Sequence, residues 1–471
     1  MNRSDIGIIG MGVMGQNLAL NIEGKGFSVS VYNRTATKTK EFVQKRARGK
    51  NIVSTYSLKE FIFSLKKPRR ILLMVKAGET VDEFLQKLVP FLEDKDIVID
   101  GGNSHFKDTE RRNEWMKKKG FFYLGTGISG GEYGALYGPC IMPGGDIQAY
   151  RQVEEIFTSA CAHTKEGPCC TYLGPRSAGH FVKMVHNGIE YALMQILAET
   201  YHLMKNGLLM NPEEIQRVLQ QWNQGELNSY LLEITVDILK RKDPITRESL
   251  IDFVLDKAKQ KGTGKWTSQI ALDLGVPVPT ITEAVNARII SSFKQDRVNL
   301  STKLKGPEVK RNFARESFLS DLEKSCYICL LLSYTQGMHL LKVASEEFGY
   351  NFNLGEITRI WKGGCIIRAR VLDLIGDIYA KYENLPNLLF SSEFVNIFNQ
   401  QISALRQILI QARAWGIPTP AMSACLNYYD SYRTEALPAN LIQAQRDYFG
   451  AHMYERVDKE GVFHTRWQKI D

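Results

Sequence analysis

The chain has 471 residues, 44% hydrophobic and 24% charged, which is ordinary globular material for about three domains. No apolar run reaches the roughly 18 residues that a membrane span needs, and no basic segment with an apolar core opens the chain, so a cytoplasmic protein with no membrane partner is expected. The net charge of +9 admits nucleic acid or phosphorylated anions, but the densest basic stretch, Lys303 to Arg315, contains Gly and Pro and lacks interleaved aromatics. That stretch reads as a solvated loop, and no nucleic-acid partner is expected.

Along the first 130 or so residues, β-rich runs alternate with helical stretches: DIGIIG (5–10), FSVSVY (27–32), RILLMV (70–75), DIVID (96–100) and FFYLG (121–125). This is the rhythm of βαβ units and a parallel sheet. From about residue 178 the β signals fade. KMVHNGIEYALMQILAETYHLM and ANLIQAQRDYF show helical periodicity instead, with the change falling near Gly174-Pro175. The expected fold is an α/β Rossmann-like dinucleotide-binding domain (1–177), a large all-α domain (178–434) and a C-terminal tail (435–471). The eight cysteines are scattered. Cys326 and Cys329 lie in an apolar run with no second pair to complete a metal site, so buried free thiols and no metal are expected.

Gly10-Met11-Gly12-Val13-Met14-Gly15 follows the first strand and opens an apolar helix, the context in which GxGxxG binds a pyrophosphate at the positive end of the helix. The second strand ends in Asn33-Arg34-Thr35, where an NAD-binding chain usually places an acid for the ribose hydroxyls. A carboxylate would repel a 2′-phosphate and a guanidinium can grip it, so NADP is the expected cofactor. Val75-Lys76-Ala77, just past another strand end, belongs at the same mouth of the sheet.

In GHFVKMVHNGIEY, Lys183, His186, Asn187, Glu190 and Tyr191 fall within roughly 140° of a helical wheel, with Val182, Val185, Ile189, Ala192 and Leu193 opposite. A secondary alcohol losing hydride needs a base for its hydroxyl proton, and Lys183 is the candidate. Its site would have to bring a reference pKa of about 10.4 down by roughly 2 to 3 pH units, by desolvation or cationic neighbours. Glu190 lies two turns on, about 10 Å along the axis, a separation that suits a second atom of one small substrate. By spacing alone the pair could equally be a solvated lysine and glutamate.

The motifs IIGMGVMG, NRT, MVKAG, DGGNS, GTGISGGEYGALYGPCIMPGG, HFVKMVHNGIEY, QKGTGKWT, GGCIIR and LPANLIQAQRDYFGAH, almost end to end, make the chain resemble the 6-phosphogluconate dehydrogenases. The resemblance implies NADP-dependent oxidation at C3 of 6-phosphogluconate, loss of CO₂ and protonation to ribulose 5-phosphate, in the pentose phosphate pathway. It implies that Lys183 is the general base and Glu190 the acid. It further implies that Asn103, Ser129, Gly130, Gly131, His186 and Asn187 hold the sugar acid's carboxylate and hydroxyls. Tyr191, Lys261, Thr263, Arg288, Arg446 and His452 match the phosphate end, the last two on a tail that reaches the partner in a homodimer with shared active sites. Read from the residues themselves, SGG at 129–131 offers successive N–H groups for an anion, and Lys261, Arg288 and Arg446 suit a phosphate dianion. Two departures stand out: Ala192-Leu193 where the family commonly has Gly-Asp, and Tyr133 where it often has Glu. Non-decarboxylating β-hydroxyacid dehydrogenases, which also pair a Lys with an Asn four residues on, are the nearest enzymatic alternative, and a silent NADP-binding scaffold protein is another.

Overall fold

In the computed structural model, which describes residues 3–308, 314–382 and 384–467, the short apolar runs near the start pair as one sheet. Its strands are β1 (Ile6–Ile9), β2 (Val29–Tyr32), β3 (Ile52–Ser54), β4 (Arg70–Leu73), β5 (Ile97–Asp100), β6 (Phe122–Ser129) and β7 (Cys140–Gly145), in the order β3-β2-β1-β4-β5-β6-β7. The first six are parallel, and β7 runs antiparallel to β6 from Leu124↔Gly145 to Ser129↔Cys140. The sequence reading anticipated neither β3 nor β7. The first is three residues long, and the second contains Pro143 and two glycines, residue types that argue against a strand.

Continuous apolar strands need cover on both faces. Ile8 and Leu72 join one buried cluster and Ile9 and Leu73 another, so successive residues feed opposite sides. Helices α1 (Val13–Gly24), α2 (Ala36–Lys45) and α7 (Ile147–Ala160) supply the first cluster. Helices α3 (Leu58–Phe63), α4 (Glu79–Leu88) and α5 (Phe106–Lys118) supply the second. The short helix α6 (Gly131–Tyr137) follows β6.

The 25-residue helix α8 (Ala178–His202) then enters a helical body built around it, with Thr263–Asp273, Pro279–Ser292, Arg315–Phe348 and Pro420–Arg433 among its partners. Its foot lies directly on the sheet. A Cβ at Gly179 would fall 2.3 Å from the carbonyl oxygens of Gly125 and Met142 and 2.6 Å from Gly144 N, so only glycine permits this approach. Val182, Val185, Ile189, Ala192 and Leu193 enter the main core as the wheel requires. The opposite face departs from a half-solvated helix, because Lys183, His186, Asn187 and Tyr191 are buried too.

After Arg433 the chain runs exposed through a helix (Ala439–Gly450) to a two-stranded hairpin, Tyr454–Glu455 with Val462–Phe463. Buried Asp447 gathers this tail, accepting from Met453 N–H, His464 Nδ1, Thr465 N–H and Trp467 Nε1 at 2.8–3.0 Å. Of the basic stretch 303–315, residues 309–313 lie outside the described residues, as do 468–471 of the tail. Among the described residues no helix is long and apolar enough to cross a membrane.

Candidate active site

The loops after β1, β2, β4 and β5 converge at the carboxyl ends of the parallel strands, where ligands of such sheets bind. Gly10 has φ +106°, and a Cβ there would lie 2.4 Å from Met74 O; at Gly15 it would lie 1.9 Å from Gly10 O. Those two glycines serve packing. Gly12 does not, since a Cβ there meets nothing within 4 Å, and α1 begins at it with no side-chain cap. Uncapped first-turn N–H groups over open space suit a pyrophosphate, so a dinucleotide fits the residues present. Val13 is exposed beside this opening and Met14 packs on the core. Asn33 ties the β1 and β2 loops together, accepting from Met11 N–H (3.0 Å) and donating to Thr35 O (3.0 Å). The side chain of Arg34 is 72% exposed with Glu83 at 3.9 Å, so its guanidinium can meet an incoming anion. Val75, Lys76 and Ala77 form the β4–α4 loop, with Lys76 exposed and a Val75 methyl 3.2 Å from where a Gly10 Cβ would stand.

Four of the residues singled out on sequence meet around a fifth, His186. Its Nε2 lies 3.2 Å from Ser129 Oγ and its Nδ1 lies 3.1 Å from Asn187 Oδ1, 3.5 Å from Lys183 Nζ and 3.9 Å from Glu190 Oε2. The Trp361 ring stands edge-on to the imidazole at 5.7 Å. Burial sets the charges here. It pulls the Lys183 amine below the usual lysine range, against the opposing influence of Glu190, Cys365 and Cys140. Burial, reinforced by Lys183, holds His186 well below the usual histidine range, so its ring is neutral. The Glu190 carboxyl is raised by burial against the pull of Lys183 and Arg288. The pair is thereby driven toward an uncharged amine and a protonated acid on one helix, the opposed displacement that a base and an acid would need.

Ser129 ends β6 and accepts from Ile366 N–H at 3.4 Å. Gly130 (φ +126°) and Gly131 (φ +62°) then turn the chain into α6. At the other end, the Arg288 guanidinium lies 3.5 Å above the Tyr191 ring and donates to Lys259 O at 3.5 Å, drawing the segment that carries exposed Lys261 toward α8. Thr263 opens the helix Thr263–Asp273, which is seated on α8 by Thr267 Oγ1 donating to Met184 O (2.9 Å). Asn103 is exposed on the loop after β5. Arg446 and His452 stand apart on the exposed tail, Arg446 donating to Gln443 (3.0 Å) and His452 edge-on to Phe449. Among the described residues neither is hydrogen-bonded to the α8 cluster, and no group of three His, Cys, Asp or Glu is placed to hold a metal.

The sequence reading passed over the residues that hold the Asn103 loop: Asp100, Ser104, Arg112, Tyr123 and His180, all buried. The only signal was the DGGNS motif, of which Asn103 alone was assigned. Of the two departures noted above, Leu193 is buried in the core and Tyr133 is exposed against Tyr137.

A GxGxxG-headed sheet set against a buried helix that presents a desolvated lysine defines a dinucleotide-dependent dehydrogenase with a helical substrate domain. Two family models match: the NAD binding domain of 6-phosphogluconate dehydrogenase over residues 5–174 and the 6-phosphogluconate dehydrogenase C-terminal domain over 179–467. The chain is 54% identical over 470 residues, covering all of both chains, to the NADP(+)-dependent, decarboxylating 6-phosphogluconate dehydrogenase of Bacillus subtilis (strain 168). It is 53% identical over 463 residues, 98% of each chain, to the decarboxylating enzyme of Staphylococcus epidermidis. A solved Plasmodium falciparum 6-phosphogluconate dehydrogenase, described in apo form and in complexes with NADP+ and with 6-phosphogluconate, superposes with TM-score 0.95 at 46% identity over 98% of this chain and 100% of that one. The chain belongs to the 6-phosphogluconate dehydrogenase family.

Proposed function

We propose that this protein oxidises 6-phosphogluconate with NADP and releases CO₂ and ribulose 5-phosphate, in keeping with relatives named as NADP-dependent, decarboxylating 6-phosphogluconate dehydrogenases. The observation that carries the reading is the trio in which buried His186 stands between buried Lys183 and half-buried Glu190. NADP, when bound, supplies the acceptor for the hydride from C3. Lys183 takes the C3 hydroxyl proton, a task for which its desolvated amine is prepared. The protonated Lys183 then faces the C3 carbonyl oxygen of the β-keto acid and stabilises the charge that collects there as the C1 carboxylate leaves. Glu190, whose carboxyl burial raises toward its protonated form, delivers a proton to the former C2, which becomes C1 of ribulose 5-phosphate. Ser129, Gly130, Gly131, Asn103, His186 and Asn187 orient the carboxylate and hydroxyls, while Tyr191, Lys261, Thr263 and Arg288 receive the phosphate end.

In this reading the chain divides into a cofactor domain (1–177), a substrate and dimerisation domain (178–434) and a tail (435–471) that enters the partner of a homodimer. Arg446 and His452 would then complete the neighbour's phosphate site. Support comes from the tail's exposure: Leu441, Ile442 and Phe449 are 62%, 60% and 72% exposed, unusual for apolar side chains on one helix of a lone chain. The setting is cytoplasmic.

The test follows NADPH absorbance and evolved CO₂ together, with 6-phosphogluconate as substrate. NADPH without CO₂ would overturn the assignment in favour of a non-decarboxylating β-hydroxyacid dehydrogenase. Lys183→Ala is expected to lose oxidation while NADP binding survives, and unchanged turnover would reject the assigned base.

A further inference from the structure

Three segments meet in this site, and none touches another through the groups proposed to react: the 75–78 loop, the 101–105 loop and α8. A buried polar cluster connects all three. Asp100, the last residue of β5, is fully buried. Its Oδ1 accepts from Gly102 N–H (3.1 Å), and its Oδ2 accepts from Ser104 Oγ (2.6 Å) and the Tyr123 hydroxyl (3.0 Å), which folds the Asn103 loop around one carboxylate. Arg112 Nη1 lies 3.6 Å from that Oδ2. The same guanidinium reaches the other loop, where Nη2 donates to Gly78 O (2.9 Å) and Nε and Nη2 grip Asp82 on α4 (3.0 and 2.7 Å).

The Asp100 carbonyl points the opposite way, toward α8, and lies 3.0 Å from Nε2 of His180, one turn before Lys183. A carbonyl can only accept, so Nε2 carries the proton. Nδ1 must then accept from Thr109 Oγ1, at 2.6 Å. Burial keeps this ring neutral, which is the state the two bonds require. Both groups are withdrawn from solvent, so the geometry has no competing water and few alternative partners.

We infer that Asp100, Arg112 and His180, with Thr109, are positioning residues that set the register of the cofactor loop and the Asn103 loop against the helix carrying Lys183. None of them touches the reacting atoms. Their effect is on distance: the cofactor that accepts the hydride and the base are held by separate domains, and an error of about 1 Å between reacting groups costs about 100-fold in rate. The inference rests on the reading of Lys183 as the base.

His180→Leu removes the donor to Asp100 O, and His180→Gln restores an N–H near the same place. The leucine variant is expected to lose at least about tenfold in kcat, with a larger isotope effect from C3-deuterated substrate and with KM for NADP and 6-phosphogluconate changed by less than about threefold. The glutamine variant should recover most of the loss. In the cofactor-free protein, amide hydrogen exchange should quicken in both the 75–78 and 101–105 segments. Unchanged exchange in those loops, or a kcat loss that disappears when normalised to folded protein, would overturn the proposal. Should His180→Leu fail to fold, Thr109→Val, which deletes the hydroxyl that donates to His180 Nδ1, is judged by the same measurements. A wild-type protein inactive on 6-phosphogluconate would reject the assigned reaction instead, leaving hydrogen exchange to decide on the hub.

Discussion

Gly179→Ala tests whether a backbone contact seats α8, the helix that carries the proposed base. The added methyl would stand 2.3 Å from two carbonyl oxygens and 2.6 Å from an amide nitrogen, all backbone and none able to swing aside. An ordinary contact is about 3.4 Å, so α8 must back away from β6 and β7 by roughly 1 Å, or the strands must part. Overpacking of this kind costs about 1–3 kcal/mol, which at about 2–4 °C per kcal/mol in a large domain lowers Tm by several degrees. The effect on chemistry is expected to be larger. Lys183 sits one turn further on, and a roughly 1 Å displacement of the base corresponds to about a 100-fold loss in kcat. The assay is NADPH formation at saturating 6-phosphogluconate and NADP, beside thermal denaturation by circular dichroism. Gly24→Ala is the control, because its Cβ would meet nothing within 4 Å and it lies in helix α1. It should leave both quantities unchanged. A Gly179→Ala enzyme with kcat within about twofold of wild type and an unaltered Tm would refute the claim that this close approach places the base.

Arg34→Ala should raise KM for NADP by about tenfold or more and leave KM for the sugar acid nearly unchanged, since the charge-assisted contact serves only the 2′-phosphate; equal effects on both would exclude that contact. Glu199, buried on α8, accepts from Ala421 and Met422 N–H groups at 2.9 Å, and burial raises its carboxyl from 4.5 to about 7 against those hydrogen bonds. The folded state therefore holds this proton more tightly than the unfolded one, so the contribution is present below pH 4.5 and is lost as pH rises through about 7. At about 1.4 kcal/mol per pH unit the loss is about 3 kcal/mol, and Glu199→Gln should remove that slope from urea titrations run between pH 5 and 8; an identical slope in the variant would refute it. Deleting residues 435–471 should convert a dimer to a monomer or abolish turnover, checked by light scattering and by the coupled assay. An active, dimeric truncated protein would exclude the shared site.

Much of the candidate site was legible because its signals are local. GxGxxG after an apolar strand, Arg34 at the end of the second, and Lys183, His186 and Glu190 at helical spacing are each contained within a few residues, and the family motifs run through them. The antiparallel strand β7 was illegible because its residues, CIMPGG, carry no strand preference and are held by pairing with β6. The Asp100 hub was hidden for the same reason, its members lying up to 80 residues apart in the chain.

The sequence by itself determined the family, the order of sheet and helices, and which side chains share a helical face, because periodicity and motif spacing depend only on near neighbours. Tertiary structure alone decided that the polar face of α8 is enclosed. The reason is that desolvation is imposed by whatever packs against a group, here Gly127 of β6, Trp361, Cys140 and Cys365, and it is this enclosure that drives the lysine toward its neutral form and the glutamate toward its protonated one.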